Sequence, residues 1–316
     1  TDANLVLGRL PAAFVAGGLR LDVDLAREAI VRRIAEPLGI SVAAAAQGII
    51  EVVNHQMAGA IRNVSVERGH DPADFALLPF GGAGALHGAA LADLLGIPTV
   101  IVPPNPGVLS TFGLLATNLQ SDFVMTCLQR GPGYDLRRLN DVMATLRQRA
   151  TDWLDREQMP AADREFGRAA DLRYPAQGFE LTVEIPGAGP LTEADLSALE
   201  AAFHDRHRQL YTHSFPGTPV ELVNLRARAI GRIQAIEPRP WPRQGRPLDA
   251  ARQGERPVSF AGEQYLPTPV YAWDELSVGL TIPGPAIVEG ADATVLVPPG
   301  GRAEVDPIGC LVLRGA

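Results

Sequence analysis

Four glycines and a histidine within eight residues, Gly81, Gly82, Gly84, His87 and Gly88, are the part of this chain best suited to hold a ligand. They follow the apolar run Leu77-Leu78-Pro79-Phe80 and precede an alanine-rich stretch, so a strand empties through a glycine loop into a helix. Glycine removes the Cβ where a ligand must approach the backbone, and the unpaired N–H groups at a helix start attract phosphate or carboxylate. The spacing fits neither the dinucleotide fingerprint nor a P-loop with its lysine and hydroxyl. On loop chemistry alone, a tight structural turn and a nucleotide site both stay open.

Other residue types with chemical potential are scattered. His87 opens the helix, where its side chain faces a ligand or is satisfied by a neighbouring carbonyl. Asn54 and Arg62 are eight apart on an upstream helix and so share a face, either toward a ligand on the glycine loop or as a solvated polar edge. His204 and His207 at i, i+3, with Asp205 and His213 nearby, have the spacing of metal ligands, while Arg206 and Arg208 suit a solvated face; no metal site is assigned. Glu180 and Glu289 have no assignable acid–base partner, packing and turn formation account for Tyr174 and Gln177, and no catalytic residue is assigned.

The elements that position these residues are legible in the periodicity. Val23 to Pro37 reads as a charged amphipathic helix, and Val42 to about Glu67 as a core helix with the stripe Ile49, Val53, Met57 and Ile61. Gly69 ends it, Asp71 caps a turn beginning at Pro72, and Phe75 to Phe80 forms the strand entering the loop. A helix from about Leu86 to Leu95 stops at Gly96, and Pro98 to Val102 is a second buried strand, completing a βαβ unit. Asn105-Pro106-Gly107 is a turn, with Val108 to Leu119 an apolar segment packed near it.

Leu136 to Gln158 is a charged helix with Leu139, Met143, Leu146, Ala150 and Trp153 on one face, read as packed on its own domain or as an arm to a partner. Ala169 to Tyr174 and Phe179 to Ile185 are strands joined by a turn. Thr192 caps a helix faced by Leu196, Leu199, Phe203 and Leu210, and Val220 to Ile230 is a strand. The proline- and arginine-rich stretch from Pro238 to Arg256 reads as an exposed linker, and Pro257 to Leu313 as a small β-rich module. The expected domains are therefore 1–125, 126–240 and 241–316.

With 316 residues, 46% hydrophobic and 20% charged, the chain can bury a sizeable core. A formal net charge of -8 argues against a general nucleic-acid or anionic-membrane partner. Cys127 and Cys310 form neither a metal pair nor a disulfide framework, and no signal peptide or long apolar span is present, so a reducing cytoplasm is the expected home. The sequon Asn63-Val64-Ser65 falls near a helix end and is disregarded.

The run from Asn54 through Asn118 resembles the hydantoinase A/oxoprolinase family. The likeness is carried by Ala60-Ile61-Arg62-Asn63-Val64-Ser65-Val66-Glu67-Arg68-Gly69, Phe80-Gly81-Gly82-Ala83-Gly84, Leu86-His87 and Val102-Pro103-Pro104-Asn105-Pro106-Gly107. Thr1-Asp2-Ala3-Asn4-Leu5-Val6-Leu7-Gly8, Leu172-Arg173-Tyr174, Val223-Asn224-Leu225-Arg226 and Gly284-Pro285-Ala286-Ile287-Val288-Glu289 extend it over nearly the whole chain. Ala85 departs from the family, which commonly has proline there. The larger departure is an additional amino-terminal half whose glycine–threonine loops are not found here. The chain opens at Thr1 inside a family-matching run, so it is expected to be one piece of a longer or cleaved protein, and an N-terminal threonine nucleophile is the less favoured reading.

The resemblance implies an α/β fold, part of an actin/Hsp70-like (ribonuclease H-like) ATPase domain followed by an α+β region and the β-rich module. It implies an ATP-dependent enzyme that opens cyclic amides such as hydantoins or 5-oxoproline through a phosphorylated intermediate. Gly81, Gly82, Gly84, His87, Asn54 and Arg62 would then line the nucleoside side of the cleft, while ATP phosphates and Mg are held mainly by the amino-terminal half. The expected partners are that half and a second large subunit of hydantoinase B type, and the chain alone would be inactive. A ketone carboxylase subunit of the same family and a non-catalytic assembly subunit are the alternatives.

Overall fold

The computed structural model describes residues 1–12, 20–234, 237–243 and 245–315. The chain divides into two compact units, Thr1–Leu115 with Glu237–Ala316, and Ala116–Ile236.

The first unit begins with the short helix α1 (Asp2–Val6). Asp22 then caps α2 (Val23–Ile30), accepting from the N–H groups of Asp24 and Leu25 at 3.0 Å, and a wider π-turn at Val31–Ala35 continues it into α3 (Glu36–Leu38). Gly39, in the left-handed region at φ 64°, closes that helix. Ser41 caps α4 (Val42–Ser65) through the N–H of Ala44. The buried residues of α4 are Ala43, Ala45, Ala46, Ile50, Asn54 and Ala58. Its most buried line thus lies one residue beyond the expected stripe, and Val53 is 37% exposed. Small side chains let neighbouring helices approach this face, which pushes the bulkier Ile49, Met57 and Ile61 to its margin.

The expected strand into the glycine loop is reduced to β1 (Ala76–Leu77). Beyond it Pro79 has no N–H to give a ladder, and Leu78 and Phe80 are exposed. Next come α5 (Gly84–Leu95), closed by left-handed Gly96, and β2 (Thr99–Val102), which pairs parallel with β1. α5 starts two residues earlier than expected. The apolar helix α6 (Leu109–Ala116) has no buried residue, so the expectation that this segment packs closely is not met. Phe112, Leu114 and Leu115 are all exposed.

The second unit is a four-stranded antiparallel sheet with two helices. Its strands are β3 (Leu119–Arg130), β4 (Arg164–Arg173), β5 (Leu181–Glu184) and β6 (Glu221–Gly231), in the order β3-β6-β4-β5. The helix α7 (Leu136–Arg156) buries Leu139, Met143, Leu146, Ala150 and Leu154 within the unit, which decides against an arm. Thr192 opens α8 (Glu193–Tyr211) with a capping box completed by Asp195. The buried face of α8 is Leu196, Leu199, Phe203 and His207, and Leu210 is exposed.

The chain then returns to the first unit. The stretch expected as a linker is anchored: the Trp241 indole N–H donates to Leu276 O at 2.7 Å. From Arg252 it is already strand, while Gln244 lies outside the described residues. β7 (Arg252–Ser259), β8 (Tyr265–Ala272), β10 (Ala286–Glu289) and β11 (Thr294–Val297) form one sheet, with β9 (Thr281–Pro283) between β8 and β10 in sequence. β12 (Arg302–Val305) and β13 (Leu311–Arg314) join β9 beside β1 and β2, in the order β1-β2-β13-β12-β9. The carboxy-terminal stretch is β-rich but shares a sheet and a core with the βαβ unit, because Val100, Val102, Ile282, Ala303, Leu311 and Leu313 bury one another. Contacts therefore draw two units, one discontinuous, where three consecutive domains are expected.

Candidate functional site

The glycine loop is held open by its own hydrogen bonds. Gly81 sits at φ 82°, a conformation that disfavours any side chain, and its N–H donates to Pro106 O at 2.7 Å. Gly84 N–H returns to Gly81 O at 3.2 Å and Leu86 N–H to Ala83 O at 3.1 Å. The N–H groups of Gly82 and Ala83 find no acceptor among the described residues and lie at the head of the twelve-residue α5, whose N-cap, Ala83, supplies no side-chain bond. They are free donors at the positive end of a helix dipole.

The glycines divide by what surrounds them. A Cβ on Gly88 would lie 3.1 Å from Pro79 Cγ and 3.2 Å from Val100 Cγ1, so Gly88 lets α5 pack on the strand. A Cβ on Gly82 would meet only Asp292 O, at 3.5 Å. Packing thus explains Gly88 and does not explain Gly82.

His87 is held by Asn54 across the α4–α5 contact, Nδ1 to Oδ1 at 2.7 Å. With the carboxamide oxygen as acceptor, Nδ1 carries the proton and Nε2 is left as a lone-pair acceptor on the neutral ring. Burial lowers the His87 pKa below its ordinary value, helped by the positive charge of Arg9. Arg9 is itself buried, donating from Nε to Ser259 O at 2.8 Å and from Nη2 to Gln47 Oε1 and Phe260 O at 2.9 Å; burial brings its pKa down to about 10. His87 also lines a cavity of about 410 Å³ with Asn4, Ile30, Ile50 and Val53, where the buried Asn4 Oδ1 has no partner among the described residues.

Arg62 does not join this group. Its Nη2 donates to Leu94 O at 3.1 Å, ten residues and about 15 Å along α5 from the glycine loop. It satisfies a carbonyl in the last turn of α5, and the expectation that it shares the ligand face with Asn54 is corrected.

The remaining candidates have structural partners. His207 is buried, its Nδ1 donating to His213 O at 2.7 Å and its Nε2 facing Gln177 Nε2 at 3.2 Å, so it is neither solvated nor open to a metal. Tyr174 OH bridges His204 Nδ1 at 2.7 Å and Phe215 N–H at 2.8 Å. Among the described residues no group of three or more His, Cys, Asp or Glu is arranged to hold a metal. Glu289 pairs with Arg256 at 2.5 Å and Glu180 with Arg173 at 3.4 Å.

Two further polar residues stand beside His87 and the loop, the first in a family-matching run and the second without a local sequence signal. Asn4 sits in an apolar helix, and Asp292 meets the Gly107 N–H at 2.8 Å across 185 residues of chain.

Residues 1–123 match the hydantoinase/oxoprolinase family and residues 134–315 match the hydantoinase/oxoprolinase C-terminal domain. The chain belongs to the hydantoinase/oxoprolinase family. It is 40% identical over 315 residues to caprolactamase subunit alpha of Pseudomonas jessenii, covering 97% of this chain and 45% of that one. The crystal structure of the ATP-dependent caprolactamase from Pseudomonas jessenii superposes with a TM-score of 0.76 at 39% identity, and the nucleotide-free acetone carboxylase structure with 0.84 at 25%. Each covers all of this chain and 46% of the other, so the chain spans about half the length of these relatives. The mixed α/β fold is that of the actin-like ATPase class, as expected.

Proposed function

We infer that this chain supplies the nucleoside side of the ATP site in an enzyme that opens cyclic amides. The observation that carries the reading is the pair of N–H groups at Gly82 and Ala83, without an acceptor among the described residues, heading α5 in a chain of this family. The loop fits a nucleotide, because glycine keeps both 81 and 82 free of a Cβ and nothing in the packing requires it at Gly82.

In this reading Gly81, Gly82 and Gly84 pass beneath the nucleoside, and the free N–H groups face its polar atoms. His87, in the first turn of α5 and fixed by Asn54 as a neutral ring, offers Nε2 as an acceptor. Arg62 supports α5 from its far end. ATP, when bound with Mg, would supply the phosphoryl group that turns an unreactive amide into a hydrolysable one. Residues outside this chain hold the phosphates, and a further subunit, of hydantoinase B type, completes the enzyme. Caprolactamase subunit alpha is itself named as one subunit of a larger protein.

Identity of 39% to caprolactamase against 25% to acetone carboxylase favours a cyclic amide over a ketone. The test is ATP-dependent phosphate release by a polypeptide extended to the relatives' length, with the partner subunit, offered caprolactam, 5-oxoproline, hydantoin, or acetone with bicarbonate. Release stimulated by a lactam or hydantoin supports the reading. Stimulation by the ketone alone assigns a carboxylase, and no release with any substrate sinks the enzymatic reading.

A further inference from the structure

Three loops of the first unit meet at one peptide group. Asn105, left-handed at φ 53°, turns the chain so that the Pro106–Gly107 peptide lies between the glycine loop and the turn joining β10 to β11. Its carbonyl, Pro106 O, accepts from Gly81 N–H at 2.7 Å. Its N–H, on Gly107, donates to Asp292 Oδ2 at 2.8 Å. Because a peptide group is planar and rigid, fixing one end fixes the other. A carboxylate bonded to the N–H also polarises the unit and strengthens the bond its carbonyl accepts.

The approach is close on both sides. A Cβ on Gly107 would fall 2.7 Å from Asp292 Oδ2, so only glycine admits the carboxylate there, while Asp292 O lies 3.5 Å from the Cβ position of Gly82. Asp292 therefore holds the glycine loop by its side chain, through the 106–107 peptide, while its main chain passes below Gly82 without contact tight enough to require glycine there. Gly81 N–H is consumed in this hold, whereas Gly82 and Ala83 N–H have no acceptor among the described residues.

We propose that Asp292 is a positioning residue for nucleotide binding: it sets the orientation in which the glycine loop presents the N–H groups of Gly82 and Ala83. The proposal rests on the reading of that loop as the nucleoside site. It makes the carboxy-terminal β10–β11 turn a working part of the site rather than an appended support.

The experiment compares ATP·Mg affinity, by titration calorimetry, for the full-length protein as wild type, Asp292→Ala and Asp292→Asn, with amide hydrogen exchange of residues 80–86 measured on the same samples without nucleotide. Asn keeps an acceptor for Gly107 N–H and Ala does not. The expected result is a loss of affinity of about tenfold in Asp292→Ala, recovered to within about threefold by Asp292→Asn, with faster exchange in 80–86 for the alanine variant alone. A general loss of stability would speed exchange well beyond residues 80–86, whereas loss of positioning is confined to them. Should Asp292→Ala not fold, Gly107→Ala, whose Cβ would crowd the carboxylate off the Gly107 N–H, is read instead, and exchange at 80–86 unchanged from wild type overturns the proposal. Affinity within twofold of wild type in Asp292→Ala overturns it as well. Wild type that binds no ATP defeats the nucleoside reading, and exchange in 80–86 then decides alone whether Asp292 positions the loop.

Discussion

Asn54 Oδ1 lies 2.7 Å from His87 Nδ1, a contact between the middle of α4 and the first turn of α5. Asn54 is 5% exposed, so a carboxamide in a helix–helix contact is spent on fixing one ring.

Burial keeps His87 below its ordinary pKa, and the sign of its contribution follows. The unfolded chain binds this proton more readily, so the contribution is fully present above about pH 6.5 and is lost as pH falls toward the folded value. Thermal melts from about pH 7.5 to about pH 5.5 are expected to show a larger drop in Tm for wild type than for His87→Gln. Equal drops would mean that the ring carries its charge in the folded protein.

Gly88 and Gly82 are expected to respond in opposite ways. Gly88→Val overpacks the contact with Pro79 and Val100 and costs about 1–3 kcal/mol in urea denaturation. Gly82→Val meets no such contact and stays within about 0.5 kcal/mol of wild type, yet it blocks the loop and weakens ATP binding about tenfold or more. A destabilised Gly82→Val that binds ATP normally would make Gly82 a structural glycine.

Asp171 tests the second unit. Burial alone would raise its pKa, but hydrogen bonds from Arg226, Thr182 and Asn224 outweigh it and hold the carboxyl below the ordinary range. Replacing it with alanine strands those three donors, and a loss of about 2–3 kcal/mol is expected by chemical denaturation. The depressed pKa means that this contribution is present above about pH 4 and is lost as pH falls further, so wild type should lose more stability there than Asp171→Asn.

Thr192 and Asp195 satisfy each other's backbone N–H groups at the head of α8. Thr192→Ala is expected to cost about 1 kcal/mol, and Thr192→Ser to recover most of it.

Features set by neighbours in sequence were readable beforehand. The caps at Asp71 and Thr192, the stop at Gly96 and the run from strand through glycine loop to helix all follow from local backbone chemistry. What could not be read depends on distant partners. Arg62 shares α4 with Asn54, and only the length of α5 decides that it meets Leu94 and not the loop. The spacing of His204 and His207 suits metal ligands and their charged neighbours suit a solvated face, yet α8 turns His207 inward between Gln177 and His213. Asp292 gave no signal, since its role exists only when β10 and β11 fold against the 105–107 turn.

The central claim is that the nucleoside lies on the Gly81–Gly84 loop. Photolabelling the relatives'-length polypeptide with 8-azido-ATP, followed by peptide mapping, tests it directly. The account expects label within residues 80–87 or on the facing side of α4 near Asn54, reduced by excess ATP and by Gly82→Val. Label protected by ATP but confined to residues outside this chain, with Gly82→Val unaffected, would contradict it.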